Sequence, residues 1–262
     1  MRKIKLSIII VNYRCRAYLD RCLASIFAKN DLGVAIEVIV VNNGVAVEME
    51  GLATLYPEVR ILQCVANKGF GSANNLGASV ATGEILFFLN PDAEIISQGF
   101  SEIMQAFEKD PEIGILGSRL VLPDGNVQPW IAGIKISLWN ILANNLNCVR
   151  DSYYWQSERP VEVFWVAGTA LFIPKKLFLG LGGFDSNFFM YFEDVDLCCR
   201  MHFLDKKVVY FPGFSVLHHG GKSFLLKKNQ KKNYYLSQDY YFRKHLGLFQ
   251  TVLLKFLRLF SF

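Results

Sequence analysis

The sequence predicts an α/β fold built on a mostly parallel central sheet flanked by helices, and three observations carry that expectation. The short apolar runs at residues 6–11, 38–41 and 85–89 are continuous rather than alternating, as in strands covered on both faces. Each run stops at polar residues: Asn12-Tyr13-Arg14, Asn42-Asn43-Gly44 and Asn90-Pro91-Asp92. Between the first two, Tyr18-Leu19, Leu23 and Ile26-Phe27 recur at helical spacing. Ligands of such sheets bind beyond the carboxyl ends of the strands, so the polar stops are where a site is expected.

A third strand is expected at residues 59–62. Asn67-Lys68-Gly69-Phe70-Gly71 then opens a glycine-rich turn into a helix that carries Asn74 and reaches Ala81. Turns of this kind let backbone N–H groups approach a phosphate or sugar, although the pattern is neither a Walker loop nor Gly-x-Gly-x-x-Gly. Pro91 ends the next strand and leaves Asp92 where a carboxylate can hold a metal-bound phosphate; taken alone, the same tripeptide reads as a turn. Residues 97–109 are helical in period, with Phe100, Ile103, Met104 and Phe107 on one face and Ser97 as N-cap. Residues 113–122 read as a strand and Pro123-Asp124-Gly125-Asn126 as a turn. From 127 to 160 the aromatic residues Trp130, Trp139, Tyr153, Tyr154 and Trp155 follow no period, giving a variable connecting region or an irregular helical insertion.

Residues 161–173 are strand-like and broken by Gly168, and Pro174 opens a short helix. After the turn Gly182-Gly183-Phe184-Asp185, the aromatic run from Phe188 delivers Glu193, Asp194 and Asp196 together, with Arg200 one helical turn beyond Asp196. Three carboxylates beside an apolar cluster cost free energy unless charge partners or a function hold them; a helix N-terminus enriched in acids is the plain alternative. Residues 208–211 read as a strand, Pro212-Gly213 as a turn, and residues 215–218 as a strand ending in His218 and His219. A lone histidine there would be structural, but two before Gly220-Gly221 are metal-ligand candidates.

Hydrophobic residues make up 52% of the 262, yet no apolar run approaches the ~20 residues that span a bilayer, so a soluble or peripheral protein is expected. The basic start followed by an apolar run mimics a signal peptide but stops at Asn12 without a small-residue cleavage site, and is read as the first strand. The six cysteines, Cys148 among them, show neither zinc-site nor disulfide spacing, and a reducing, cytoplasmic setting is expected. Charge is uneven. Residues 222–262 hold nine Lys/Arg against one acid, while the rest of the chain is net −3, so the tail is expected to meet an acidic partner, nucleic acid or an anionic membrane surface. Lys244, Gly247, Thr251, Lys255 and Arg258 fall on one helical stripe, and Leu248, Phe249, Val252, Leu253, Phe256, Leu257 and Phe260 cover the rest. Lys222, Lys227, Lys228, Lys231 and Lys232 add further charge for anionic lipid. That pattern suits a membrane interface, with a helix docked on the protein's own core as the alternative. The favoured reading is peripheral attachment to the inner face of the cell membrane, with no nucleic acid bound.

Several of these motifs belong together: Ser7-Ile8-Ile9-Ile10-Val11-Asn12-Tyr13, Val40-Val41-Asn42-Asn43-Gly44, the Asn67–Gly71 turn with Asn74, Leu89-Asn90-Pro91-Asp92, and Gly182-Gly183-Phe184-Asp185. They are followed by Tyr191-Phe192-Glu193-Asp194-Val195-Asp196-Leu197 with Arg200, and His218-x-Gly220-Gly221-x-Ser223. In order and spacing this set resembles glycosyltransferase family 2, especially its bacterial rhamnosyltransferase-like branch, over roughly residues 5–223. The resemblance implies a GT-A fold with a Rossmann-like sheet over residues 1–222, followed by a basic amphipathic helical tail at 223–262. Within it, 1–122 would form the nucleotide-sugar-binding half, 123–160 the connecting region and 161–222 the acceptor and catalytic half.

The resemblance also implies roles. Val11, Tyr13 and Asn42 would line the base pocket, and Asn67, Gly69 and Asn74 would border the diphosphate and ribose. Asp92 would be the surviving acid of an Asp-x-Asp motif whose first position is Asn90, and His218 the distal ligand of Mg²⁺ or Mn²⁺. Asp194 would be the catalytic base, with Glu193 orienting the site or contacting the acceptor, and Trp165, Gly168, Asp185 and Arg200 would form the acceptor or sugar pocket. Asn42 stands where the family usually carries Asp, and an amide meets a pyrimidine edge with a different set of donors and acceptors. The implied reaction is inverting transfer of a sugar, by first preference L-rhamnose from dTDP-rhamnose, otherwise from another dTDP- or UDP-sugar, to a lipid-linked oligosaccharide in bacterial surface polysaccharide synthesis.

The physical requirements agree with that chemistry. A departing diphosphate needs a fixed electrophile, and an attacking hydroxyl needs a base; one base without a second nucleophile gives inversion. The competing class is a nucleotidyltransferase or a nucleic-acid-binding module. The first would carry a basic glycine-rich loop after the first strand, which Asn12-Tyr13-Arg14-Cys15 lacks, and the second predicts steeply salt-dependent binding.

Overall fold

The continuous apolar runs become neighbouring parallel strands because both of their faces are covered by helices. In the computed structural model, which describes residues 5–30, 35–145, 152–220 and 227–259, the first unit runs β1 (Leu6–Asn12), α1 (Arg16–Ala28), β2 (Ile36–Asn42), α2 (Leu52–Leu55), β3 (Val59–Gln63), α3 (Phe70–Val80) and β4 (Ile85–Leu89). Met1, Cys148, Gly221, Lys222, Ser223 and Phe260 lie outside the described residues, as do the side chains of Lys227 and Lys228. The strands lie in the order β3-β2-β1-β4, all parallel, with Ile8 opposite both Val38 and Phe87. α3 lies close against this sheet because Gly77 has no side chain; a Cβ there would meet Ile9 Cγ2 at 2.5 Å.

The chain continues through β5 (Ala93–Ile95), α4 (Phe100–Lys109), β6 (Ile113–Val121), β7 (Ala132–Gly133), α5 (Leu138–Asn145), α6 (Ser152–Trp155), β8 (Val161–Val163), β9 (Trp165–Val166) and β10 (Ala170–Pro174). After α7 (Lys175–Gly180) and α8 (Glu193–His202), β11 (Lys207–His218) leads to α9 (Lys227–His245) and α10 (Leu248–Arg258). β10 joins the parallel unit to the rest, pairing antiparallel with both β4 and β6; β11 then runs parallel to β6 and antiparallel to β5 and β8. An aromatic cluster seals this junction: Phe87 stacks on Phe172 at 3.8 Å, and Phe100 and Phe214 meet Phe87 edge-on.

Local expectations change where tertiary contacts compete. The helix expected from Ser97 begins at Phe100, after Gly99 at φ 143°, and Ser97 Oγ instead accepts the Ser215 N–H at 2.8 Å, tying the loop to β11. Pro212-Gly213 is not a turn between two strands. β11 runs through it with a slip of register against β6 between Phe211 and Ser215, because a bulge absorbs the proline without breaking the sheet. The connecting region is an irregular helical insertion, anchored where Tyr210 Oη donates to the Trp155 carbonyl at 3.0 Å.

The tail departs furthest. α9 is tied to α8 through Lys244 and His245 on Asp196, with Tyr241 and Phe242 buried, and α10 folds back along α9. Arg258 and Lys255 both reach Asp239, at 2.6 and 3.3 Å, and Thr251 is buried. Arg258 therefore faces α9 instead of solvent, while the Lys255 side chain stays 59% exposed. The apolar residues Leu248, Phe249, Val252, Phe256 and Leu259 point outward.

Candidate functional site

Strands β1, β2 and β3 end in register, which sets Asn12, Asn42 and Gln63 side by side at the carboxyl edge. Asn12 Nδ2 donates to Asn42 Oδ1 and to Glu48 Oε2, each at 3.1 Å. Asn42 Nδ2 donates to the Val45 carbonyl at 2.9 Å and to Gln63 Oε1 at 2.8 Å, and its Oδ1 also accepts the Gly44 N–H. The Asn42 amide thus has no free donor to offer a base edge, because the Val45 carbonyl in the loop after β2 and Gln63 at the end of β3 use both. Val11 is buried beneath this row, and the half-buried Tyr13 ring lies under the Arg14 guanidinium at 5.2 Å. Asn12 Oδ1 is buried without a hydrogen-bond partner, so the unspent acceptor of this edge belongs to a residue to which the sequence reading assigned no role.

Asn43, equally unassigned, organises the next loop. Its Nδ2 donates to Asn67 Oδ1 at 2.9 Å and to the Gly69 carbonyl at 3.2 Å, while its Oδ1 accepts the Lys68 N–H at 3.0 Å. Gly69 sits at φ 83°, and a Cβ there would strike the Phe189 carbonyl oxygen, which already accepts the Phe70 N–H at 3.0 Å. Asn74 is buried and returns its Nδ2 to the Phe70 carbonyl at 3.1 Å. Packing thus accounts for the glycine at 69, and Asn74 turns its amide nitrogen back onto its own helix.

At the other side of the sheet the polar atoms are less fully used. Ala93 pairs with His218 across β5 and β11, which brings His218 Nε2 to 3.4 Å from Asp92 Oδ1, both residues buried. His218 Nδ1 meets Gln128 Oε1 at 2.7 Å, a contact in which Nδ1 donates, and this turns Nε2 toward the carboxylate; that Nε2 is buried with no hydrogen-bond partner. An orphaned imidazole nitrogen beside a buried carboxylate fits a divalent cation. No group of three or more His, Cys, Asp or Glu side chains suited to a metal occurs among the described residues, so the rest of the coordination shell would come from substrate or water oxygens. His219 does not join them: its Nε2 lies 2.7 Å from Glu94 Oε1, which Arg21 also holds at 2.7 Å.

The acids of α8 stand in three different environments. Glu193 is 5% exposed with Oε2 unpartnered, and burial, then the neighbouring Asp194 and Asp196 carboxylates, push its carboxyl well above the usual range. Asp194 accepts the Gly168 N–H at 2.7 Å and the Val195 N–H at 2.8 Å; burial raises its pKa against those bonds. Asp196 is wholly buried and bound at 2.7 Å by each of Arg200, Lys244 and His245; burial would raise its carboxyl, but these cations lower it. Gly168 and Thr169 link the two acid groups. The first donates to Asp194, and the carbonyl of the second accepts the Asn90 N–H at 2.9 Å, so the base candidate and the Asn90–Asp92 loop hang from consecutive residues.

The residues expected in the sugar pocket separate. Gly168 touches Asp194, and Trp165 is buried in β9 opposite Gly133. Arg200 instead donates to the Leu181 and Gly183 carbonyls at 2.9 and 2.8 Å. Asp185 binds Lys244 at 2.7 Å and Tyr240 Oη at 3.1 Å; burial opposes its ionisation, but Lys244 and the Asn187 N–H hold its pKa at about 2. Asp185 and Arg200 share a cavity of about 380 Å³ with Asn75 and Lys244, and Asp194 does not line it.

Comparison with known proteins gives the family and the fold. Residues 7–173 match the family described as Glycosyl transferase family 2. The chain is 29% identical over 239 residues to an N-acetylglucosaminyl-diphospho-decaprenol L-rhamnosyltransferase of Mycobacterium tuberculosis, covering 83% of this chain and 77% of that one. It is 26% identical to the O-antigen biosynthesis protein RfbC of Myxococcus xanthus, covering 93% of this chain but 20% of that protein. Among solved structures, GalNAc-T7 with UDP, GalNAc and Mn²⁺ superposes with TM-score 0.66 at 16% identity, over 82% of this chain and 43% of that one. S. aureus TarS 1-349 in complex with UDP superposes with TM-score 0.61 at 13% identity, over 92% and 74%.

Proposed function

This chain belongs to glycosyl transferase family 2 and is a glycosyltransferase of GT-A fold, and on that premise we propose that it moves L-rhamnose from dTDP-rhamnose, with inversion, to a hydroxyl of a lipid-linked saccharide. The observation that carries the reading is the suspension of Asp194 and the Asn90–Asp92 loop from consecutive residues, with the unpartnered His218 Nε2 beside Asp92. A bound Mg²⁺ or Mn²⁺ would supply charge neutralisation to the departing diphosphate. Asp92 and His218 would hold it, and Gln128 keeps His218 in the tautomer that can. Asp194, its basicity raised by burial yet its carboxylate aimed by two backbone N–H groups, would take the proton of the attacking hydroxyl. Glu193 would stay neutral beside it and lend the site a hydrogen-bond donor. The rhamnosyl donor and polyprenyl-linked acceptor are supported by the mycobacterial relative's activity.

The direct test is nucleoside diphosphate release from a panel of dTDP-, UDP- and GDP-sugars with Mg²⁺ or Mn²⁺, with and without N-acetylglucosaminyl-diphospho-decaprenol. The reading expects dTDP-rhamnose to be turned over fastest, with release stimulated by the acceptor. Equal turnover of all donors, or no stimulation, would reject it.

The same reading sets the enzyme on the inner face of the membrane. No described helix is long and apolar enough to cross one. The exposed face of α10, with Phe249 80% and Leu259 79% exposed, would insert at the interface, and it does so by apolar burial more than by charge because Arg258 is committed to Asp239. Co-sedimentation with anionic and neutral vesicles tests this. Phe249→Glu with Phe256→Glu should cut binding to both; unchanged binding would exclude α10 as the anchor.

A further inference from the structure

Both acids of the site are delivered by a turn that no local preference favours. Tyr191 and Phe192 are consecutive aromatic residues with positive φ, 70° and 64°, immediately before Glu193. Side chains of this kind avoid that region, and such backbone persists only where surrounding contacts over-determine it. Here the contacts come from α9. Ser237 Oγ donates to the Met190 carbonyl at 2.7 Å. The Tyr234 ring meets those of Tyr191 and Phe192 at 5.8 and 5.3 Å, and Tyr241, 1% exposed, meets Phe192 at 5.5 Å. One turn into α8, Lys244 and His245 both close on Asp196 at 2.7 Å. The grip therefore spans residues 190–196 from both sides of Glu193 and Asp194.

We propose that α9 is a clamp belonging to the active site, with Ser237 and His245 as positioning residues that hold the 190–192 turn and the first turn of α8 so that the two acids face the acceptor. The inference rests on the assignment of these acids to catalysis made above, and adds that a segment beyond the matched family region, residues 7–173, is required for it. Releasing either contact lets the turn relax toward negative φ. The carboxyl groups then move relative to Gly168 and the donor, and displacements on the order of 1 Å cost rate steeply.

The test uses the full chain with dTDP-rhamnose and N-acetylglucosaminyl-diphospho-decaprenol. His245→Ala should lower kcat about tenfold and Ser237→Ala about threefold, with donor KM within about twofold of the parent. His245→Gln, which still donates to Asp196, should recover part of the loss. On an Asp194→Asn background neither substitution should reduce the residual rate further, because both act through the same group. Backbone amide exchange at Val195 and Asp196 should quicken in Ser237→Ala while β1 and β4 keep their protection.

Wild-type kcat in the folded variants, or losses that multiply fully on the Asp194→Asn background as general destabilisation would give, overturns the clamp. Should His245→Ala fail to fold, Ser237→Ala leaves the ion cluster intact and decides alone. Absence of any turnover by the parent enzyme with this substrate pair rejects the substrate reading and not the clamp, and unchanged exchange at Val195 and Asp196 then rejects the clamp by itself.

Discussion

The two sides of the sheet's carboxyl edge handle buried polar atoms in opposite ways. On the β1–β3 side Asn42 spends its amide on Val45 and Gln63 and Asn43 on the Asn67–Gly69 turn, while Asn12 Oδ1 is left over. On the β5–β11 side His218 Nε2 and Glu193 Oε2 are buried and unpartnered, while burial raises the Asp194 carboxyl from its ordinary value. Satisfied polar groups build a frame, and unsatisfied ones mark where something else is to bind, since an orphaned buried polar atom is costly unless a ligand completes it. On the proposed reading the amide side would shape a nucleotide cleft, and the acid side would perform the chemistry.

That contrast can be broken most decisively at Asp92. Asp92→Asn should lower turnover by at least about 10³-fold, and EDTA should do the same to the parent enzyme, because leaving-group stabilisation contributes several kcal/mol. Diphosphate release measured with and without chelator is the check, and full activity in EDTA would remove the acid side's distinguishing role. Asp194→Asn should follow at about 10²-fold in kcat with donor KM nearly unchanged. The raised carboxyl also sets the acidic limb of the kcat profile above the ordinary Asp value of 3.8. A profile flat down to pH 4 would assign the base elsewhere.

Asp196 should behave as frame despite lying two residues away. Asp196→Asn leaves buried cations uncompensated, and urea unfolding should show a loss of about 3 kcal/mol. The pH dependence sharpens the point. Burial opposes protonation of His245, but its bonds to Asp196 and Cys199 raise the pKa from 6.5 to about 9. Its contribution to stability is therefore whole below pH 6.5 and is lost as pH rises through about 9. Asp196, with its carboxyl lowered from 3.8, contributes above that pH and loses its effect as pH falls through the folded value. The stability difference between the parent and His245→Ala should thus be largest between those limits and shrink toward pH 9; a difference that grows with pH would contradict the clasp. The smallest effect is expected at Asn42. Asn42→Ala should cost about 1–2 kcal/mol in stability through its lost loop bonds and leave donor KM within about threefold, and a far larger KM change would return Asn42 to the base pocket.

Residue pattern alone determined the parallel unit, the strand-end placement of the candidate site residues Asn12, Asn42 and Asp92, and the pairing of Asp196 with Arg200. These depend on short-range facts: apolar runs continuous enough to be buried on both faces, polar residues where the ladder stops, and the i to i+4 spacing of a helix. The motif order also sufficed to set Asp92 beside His218, although they are distant in the chain. What pattern could not decide was how each polar atom is spent. Asn42 and Arg200 have the chemistry of ligand-binding residues, yet their neighbours in space use their donors first, and Ser97 lost its cap to a strand more than a hundred residues later. The tail shows the same limit: a stripe of Lys and Arg reads identically whether it faces lipid or Asp239, and only the antiparallel return of α10 along α9 settles which side is solvent. Hydrogen bonds and ion pairs are awarded by proximity in three dimensions, so residue type states what an atom can do, and only the tertiary structure states whether it is still free to do it.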